Sequence, residues 1–291
     1  MGSLEDGPSS RSLGDIELDR RTFNKLLVAG TVFIVTGSGV KLIKDLTSNP
    51  ELTNPIPYVE NEAYLEFLKR NQVSFTLHDA SEDPRKTELV INNPGIFRPE
   101  INVSSRYGRL YTAHYPENLD WLSTEEREEK ELETVFETFA NAGITRFEFD
   151  LKDSFDINDF LTYIDFLRSL RGRGIEIIIS GSSEWVPRIQ DFEDEIPENT
   201  VLIPTLTHKH KVDAYKRDLE NGWLNKGIGA TISYRSPFRA EILRINQANG
   251  RPTKVYGIET ETEASSLGVE DANIIIGTDT TQLIERANQV L

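Results

Sequence analysis

RFEFDLK, at residues 146–152, alternates apolar and charged side chains in the manner of a strand whose two faces differ. Its phenylalanines and leucine would point to one side, and Glu148, Asp150 and Lys152 to the other. Two carboxylates and an ammonium in a row are costly to bury unless they pair with each other, with a metal or with a substrate. The alternative interpretation is an edge strand with one solvated face, so the rest of the chain has to decide between the two.

From residue 73 onwards, extended and helical patterns alternate. The extended runs are residues 73–78, 100–103, 110–114, 145–152, 176–180, 200–206, 229–234, 254–258 and 273–276. Strands separated by helices are typical of βαβ units and predict a parallel sheet. The sequence therefore predicts an α/β fold, with a (β/α)8 TIM-type barrel at residues 72–291. These are nine extended runs, one more than the eight strands of such a barrel. Residues 110–114 follow the preceding run too closely for a helix between them. We predict that residues 110–114 form a hairpin arm.

Composition and charge exclude several partners and chemistries. The chain of 291 residues has 48 acidic and 32 basic side chains, which gives a net charge of −16. Nucleic-acid phosphates would be repelled by such a surface, so we expect no nucleic-acid partner. The sequence contains no cysteine, which rules out disulfides, thiolate nucleophiles and cysteine-ligated zinc.

Three segments precede the predicted barrel. Residues 1–25 are predicted to be a disordered tail, and they carry Arg20 and Arg21 ahead of the apolar residues 26–43. Paired arginines followed by a short apolar run resemble a prokaryotic twin-arginine export signal. We therefore expect an extracytoplasmic protein, secreted or membrane-anchored, with membrane association through residues 26–43. The alternative is a short docked helix in a cytoplasmic protein. Residues 44–71 contain three prolines and are predicted to be a linker with one short helix.

Polar side chains gather at the ends of the predicted strands. In a (β/α)8 barrel the chemistry lies at the C-terminal ends of the strands. The candidates at those ends are His78, Glu100, Asn102, His114, Asp150 and Lys152. The two remaining histidines, His208 and His210, follow the run at residues 200–206 in a basic segment, for which a solvated turn is the simpler interpretation.

The order of these motifs resembles that of the glycerophosphodiester phosphodiesterase-like barrels, a superfamily that includes the sphingomyelinase D enzymes and the menorin-type domains. The family pattern is a strand ending in His, an E-x-D strand, a second His, an E/D-x-K strand, a late strand with Trp, and a closing Thr-Asp or Thr-Asn. The corresponding segments here are FTLH at 75–78, PEINV at 99–103, YTAH at 111–114, FDLK at 149–152, KVYGI at 254–258 and GTD at 277–279. Order and spacing hold over residues 73–288.

The resemblance implies a phosphoric diester hydrolase that depends on one divalent cation. Glu100, Asn102 and Asp150 would hold Mg²⁺ or Ca²⁺ through hard oxygen ligands, and the metal would offset charge on the phosphodiester. The implied substrate is a small-molecule or lipid phosphodiester.

The resemblance also implies roles for the other three candidates. His78 and His114 would flank the phosphorus, one as nucleophile or base and the other as general acid, since histidine titrates near neutrality. Lys152 would contact a non-bridging phosphate oxygen and stabilise the charge that develops there.

Three positions depart from the family pattern. Asn102 stands where a carboxylate ligand is expected, so one negative charge is missing. Asp79 follows His78 and puts a negative charge where an anionic substrate would lie, and Ile258 replaces the usual Trp. These departures favour an alternative, a catalytically degenerate barrel that serves as a surface binding or structural protein. A third candidate, a glycosidase that uses Glu148, leaves the two histidines unexplained.

Overall fold

Two compact units make up the described part of the chain, with the division after residue 60. The computed structural model describes residues 32–36, 39–43, 61–225 and 227–290. In the first unit, strands β1 (Val32–Thr36) and β2 (Gly39–Ile43) pair antiparallel. The apolar segment 26–43 therefore contains strands where it is described, in place of the helix considered above. The predicted tail at residues 1–25 lies outside the described residues.

The second unit is built on two sheets of mainly parallel strands. The strands are β3 (Gln72–Leu77), β4 (Glu100–Arg106), β5 (Arg109–Thr112), β6 (Arg146–Leu151), β7 (Glu176–Gly181), β8 (Thr200–Pro204), β9 (Ala230–Ser233), β10 (Thr253–Tyr256) and β11 (Asn273–Thr278). One sheet has the order β3-β11-β10-β9 and the other β5-β4-β6-β7-β8. Only β4 and β5 pair antiparallel in these two sheets, so the predicted parallel α/β class and the predicted hairpin arm are both confirmed.

Single bridges connect the two sheets at both ends. Leu77 at the end of β3 bridges in parallel to Pro99, next to the start of β4. Thr205, just after β8, bridges in parallel to Thr231 of β9. The edge strands β3 and β9 of one sheet therefore lie next to β4 and β8 of the other. We call these two places the seams.

Helices lie between the strands. The α-helices are α1 (Glu62–Arg70), α2 (Pro84–Asn92), α3 (Thr124–Glu128), α4 (Leu132–Asn141), α5 (Ile157–Ser169), α6 (Lys209–Glu220), α7 (Arg239–Ala248), α8 (Glu261–Ser265) and α9 (Thr281–Val290), and 3₁₀ helices cover Pro116–Trp121 and Val186–Phe192. Local sequence explains where several begin: the Asp156 side chain, for example, accepts hydrogen bonds from the first-turn N–H groups of Asn158 and Asp159. Among the described residues, no helix combines the length and apolar character that a membrane span requires.

Helix α1 packs on the same unit as the strands. The fully buried Tyr64 donates a hydrogen bond from its hydroxyl to the carbonyl of Leu283 in α9, at 3.2 Å. The second compact unit accordingly begins at Asn61, ahead of the boundary predicted at residue 72.

Strand β6, which carries the RFEFDLK motif, is an interior strand. It pairs with β4 on one side and β7 on the other. Phe147 and Phe149 are fully buried on the face of β6 that packs against α4. The ring centroids of Phe147 and Phe136 of α4 are 4.9 Å apart. Glu148, on the opposite face, is also fully buried. The interpretation as a solvated edge strand is therefore wrong, and the buried charges need partners.

Candidate active site

The first candidate histidine lies among three carboxylates. His78 directly follows β3, and one third of its side chain is exposed. Its Nε2 atom is 3.4 Å from Oε1 of Glu100, and its Nδ1 atom is 3.3 Å from Asp79 and 3.5 Å from Asp279. Each ring nitrogen of His78 therefore faces at least one carboxylate at the C-terminal end of the strands.

Asp79 is the point at which the two histidines meet. Its backbone adopts a φ of +51°, a left-handed conformation that is uncommon outside glycine. Nδ1 of His114 is 3.9 Å from Oδ1 of Asp79, and this nitrogen is buried without a hydrogen-bond partner. His78 and His114, from different strand ends, therefore face the same carboxylate, which the sequence analysis had treated only as an obstacle to an anionic substrate.

Asn102 binds two carboxylates through one amide nitrogen. The side chain is fully buried on β4, and Nδ2 donates to Asp79 at 2.7 Å and to Glu82 at 2.5 Å. We call Asp79 and Glu82 the outer pair. The carbonyl oxygen of the same amide, Oδ1, is buried and accepts no hydrogen bond.

Asp150 and Lys152 form an ion pair at the end of β6. Lys152 donates directly to Asp150, and Ser180 of β7 donates to the same carboxylate at 3.3 Å. Burial alone would raise the pKa of Asp150, but the ammonium groups of Lys152 and Lys254 lower it below its ordinary value. Asp150 is therefore held as a carboxylate. In the β4–β6 register it lies beside Asn102, so these predicted ligands come from adjacent strands.

A buried lysine neutralises the remaining interior carboxylates. Lys254 of β10 is 3 % exposed, and its Nζ donates to Glu100 at 2.6 Å and to Glu148. Ser180 also donates to Glu148. We call Glu100, Glu148 and Asp150 the inner carboxylates.

The electrostatics of Lys254 and Glu100 are linked. Burial raises the pKa of Glu100 to about 7, although the adjacent ammonium of Lys254 lowers it. Burial alone would lower the pKa of Lys254, but Glu100 and Glu148 raise it above its ordinary value. Gly277 of β11 leaves room for this lysine, because a Cβ there would lie 2.7 Å from its Cε. The glycine and the ion pairs together fix the lysine in the interior.

The histidines of the basic segment lie elsewhere. His208 and His210 are exposed at the start of α6 and stack on each other with 5.7 Å between ring centroids. Both side chains are solvated as predicted, but the segment is not a turn, because His208 directly precedes α6 and His210 lies in its first turn. Their exposure makes them suitable controls for the site histidines.

Two overlapping groups of side chains fit a divalent cation. His78, Asp79 and Glu100 each offer a ligand atom within 4.8 Å of the others, and so do Asp79, Glu82 and His114. Carboxylate oxygens, together with the unpartnered amide oxygen of Asn102, are donors suited to a hard cation. The chemistry of the donor set therefore fits a divalent metal site.

Sequence reasoning missed Lys254 and Glu82, and it placed Asp79 at the site only as a charge opposed to an anionic substrate. Lys254 lies in the extended run predicted at 254–258, and a charge in such a run is the same signal that singled out Glu148, so it could have identified Lys254. Glu82 carried no such signal, since it lies in a loop rich in acidic residues.

Comparison with known proteins finds similarity in structure alone. No family model and no curated protein matches the sequence. A phosphodiesterase from Oleispira antarctica, solved in complex with the product sn-glycerol-3-phosphate, aligns with a TM-score of 0.53 and 14% identity over 78% of this chain and 99% of its own. A glycerophosphodiester phosphodiesterase from Parabacteroides distasonis aligns with a TM-score of 0.52 and 11% identity over 76% and 96%. The chain therefore has a glycerophosphodiester phosphodiesterase-like fold.

Proposed function

We propose that the protein is a phosphodiester hydrolase that works with one divalent cation, Mg²⁺ or Ca²⁺. The observation that carries the proposal is the convergence of His78 and His114, from separate strand ends, on the carboxylate of Asp79. Two histidines that face one site can serve both sides of a displacement at phosphorus. The structural neighbour with sn-glycerol-3-phosphate supports a small-molecule phosphodiester as substrate, either a glycerophosphodiester or a lipid head group.

The same proposal includes a closed (β/α)8 barrel. The bridges at both seams support closure. So does Lys254, which reaches from β10 in one sheet to Glu100 and Glu148 in the other. Closure accounts for a lysine and two glutamates meeting in an interior that water does not reach.

In the proposed reaction His78 either attacks phosphorus itself, after which water hydrolyses the phosphohistidine, or takes the proton from a water molecule that attacks phosphorus. The bond from phosphorus to the leaving oxygen breaks, and His114 protonates the departing alkoxide. Glu100 and Asp279 orient the ring of His78 from two sides. Lys152 contributes positive charge near the non-bridging oxygens while remaining paired with Asp150. A bound cation would offset the charge of the phosphodiester. The ligand set Glu100, Asn102 and Asp150 stays a prediction.

Hydrolysis assays test the function. The purified protein is expected to turn over bis(p-nitrophenyl) phosphate and glycerophosphocholine with Mg²⁺ or Ca²⁺, and to lose this activity in EDTA. His208→Ala, which changes an exposed histidine outside the site, is expected to behave as wild type. The absence of turnover of either substrate with either cation would contradict the proposal.

A catalytically degenerate binding protein is the second candidate. It is favoured by Lys254, which already neutralises carboxylates that a metal could use, and by the amide at Asn102. The two candidates separate on Asn102→Asp. If wild type is inactive and this variant hydrolyses the substrates, the chain has lost an ancestral activity.

For the N-terminus we propose export through the twin-arginine-like segment, with residues 26–43 as signal or membrane anchor. The support is Arg20 and Arg21 ahead of an apolar run. In fractionated cells, wild type is expected outside the cytoplasm, and Arg20→Lys/Arg21→Lys is expected to accumulate in the cytoplasm. Unchanged localisation of the variant would count against export by this route.

A further inference from the structure

We propose that the divalent cation binds to the outer pair, Asp79 and Glu82, and to the amide oxygen of Asn102, rather than to the inner carboxylates. This inference deepens the proposed function and rests on it for its catalytic meaning, but cation binding can be measured without turnover. Its basis is the distribution of charge partners across the site.

The inner carboxylates already have ammonium partners. Lys254 donates to Glu100 at 2.6 Å and to Glu148, and Lys152 donates to Asp150. A cation placed among these carboxylates would lie close to two ammonium groups, and like charges repel strongly where water is excluded. The inner carboxylates are therefore poor ligands as long as both lysines are present.

The outer pair lacks such partners. Within residues 61–225 and 227–290, Asp79 pairs only with the imidazoles of His78 and His114, and Glu82 forms no ion pair. Both carboxylates instead approach the neutral amide of Asn102. Two carboxylates that share one neutral donor carry negative charge that a cation would compensate.

The amide of Asn102 supplies the observation that points to a ligand. The side chain is fully buried, and its Nδ2 is directed at the outer pair, whereas its Oδ1 is buried and accepts no hydrogen bond. Rotation of the amide by half a turn would bring Oδ1 towards Asp79 and Glu82 in place of Nδ2. Three oxygens would then face one point, and oxygen ligands are those that Mg²⁺ and Ca²⁺ prefer.

Two departures from the family pattern, at Asn102 and Asp79, compensate each other in this arrangement. The chain lacks a carboxylate at Asn102 and has an additional one at Asp79, and these two side chains are in contact at 2.7 Å. Asp79 thus returns to the site the negative charge that position 102 has lost. Because Mg²⁺ and Ca²⁺ favour oxygen over nitrogen, His114 beside Asp79 stays available for proton transfer.

Titration calorimetry with MgCl₂ and CaCl₂ on the metal-free full chain tests the site. Wild type is expected to bind one cation. Glu82→Gln and Asp79→Asn are each expected to weaken binding by roughly 10–100-fold, at least the loss seen when groups that support metal ligands are removed. Asn102→Asp is expected to strengthen it. Glu88→Gln removes an exposed charge from the same helical region and is expected to leave the affinity unchanged.

Asp150→Asn discriminates between the two locations. Weaker binding in Asp150→Asn, with unchanged binding in Glu82→Gln and Asp79→Asn, would overturn the proposal and place the cation at the inner carboxylates. Thermal unfolding in EDTA identifies any variant that fails to fold. If one of the two outer-pair variants does not fold, the other still tests the site. Cation binding as expected without turnover would leave this inference standing and refute the hydrolase. Cation-dependent turnover with binding lost only in Asp150→Asn would support the hydrolase and refute the cation site at the outer pair.

Discussion

Lys254→Met is expected to destabilise the protein by about 3–5 kcal/mol, the usual cost of breaking a buried ion pair by removing one partner. Methionine keeps the length of the side chain and packs in the space beside Gly277, so little of the loss would come from a cavity. What remains is the charge of Glu100 and Glu148, both buried and deprived of their ammonium partner. Urea unfolding of wild type and variant at pH 8 measures the difference.

Two further variants identify the cause of that loss. Lys254→Met/Glu148→Gln removes one of the two stranded charges and is expected to recover part of the stability. Lys209→Met changes an exposed lysine and is expected to stay within about 0.5 kcal/mol of wild type. If the double variant were no more stable than the single one, the loss would come from packing, and the electrostatic explanation would be wrong.

The pH dependence of this destabilisation has a defined sign. Since the native pKa of Glu100 is about 7, above its ordinary 4.5, the folded state holds a proton that the unfolded state releases between these values. The corresponding stability is complete at low pH and is lost as the pH rises to about 7. Removal of Lys254 takes away the group that lowers this pKa, so the variant continues to lose stability above pH 7. The difference from wild type is therefore expected to be larger at pH 8.5 than at pH 5.

Local sequence was sufficient to predict the strands and the order of the candidate residues. The alternation in RFEFDLK placed the charges on one face of β6, and the short spacing before residues 110–114 predicted the hairpin arm. The face of β6 and the hairpin arm both depend on residues that are close in sequence, so alternation and spacing along the chain were enough to predict them. The same reasoning predicted a helix as the alternative for residues 26–43, where β1 and β2 are found; short apolar runs do not distinguish a helix from a strand by periodicity.

The partners of the buried charges could not be predicted in this way. Lys254 lies 154 residues from Glu100 and 106 from Glu148, and only the arrangement of strands from both sheets brings them together. Asp79 was interpreted as a charge in conflict with an anionic substrate because its contact with Asn102 depends on the loop after β3. Long-range register and loop conformation are what a single sequence does not supply.

His78→Ala is expected to lower kcat/KM for both phosphodiesters by roughly 10²–10⁴-fold, the contribution of a group that transfers a proton or attacks in the transition state. Its ring contacts Glu100, Asp79 and Asp279, but one third of the side chain is exposed, so its truncation is expected to leave little buried space unfilled and to preserve the fold. Cation affinity is expected to remain, since the outer pair and Asn102 are intact. His208→Ala serves as the matched control. Activity that survived in both His78→Ala and His114→Ala would rule out the histidine mechanism.

The leaving group distinguishes the role of His78 from that of His114. p-Nitrophenolate departs as a stable anion and gains little from a general acid, whereas the alkoxide of glycerophosphocholine needs a proton as the bond to phosphorus breaks. His114→Ala is therefore expected to reduce hydrolysis of glycerophosphocholine much more than that of bis(p-nitrophenyl) phosphate. His78→Ala is expected to reduce both alike, because attack at phosphorus is common to the two substrates. The reverse pattern would exchange the two assignments, and since both histidines face Asp79, that result would leave the site in place with its acid and base on opposite sides.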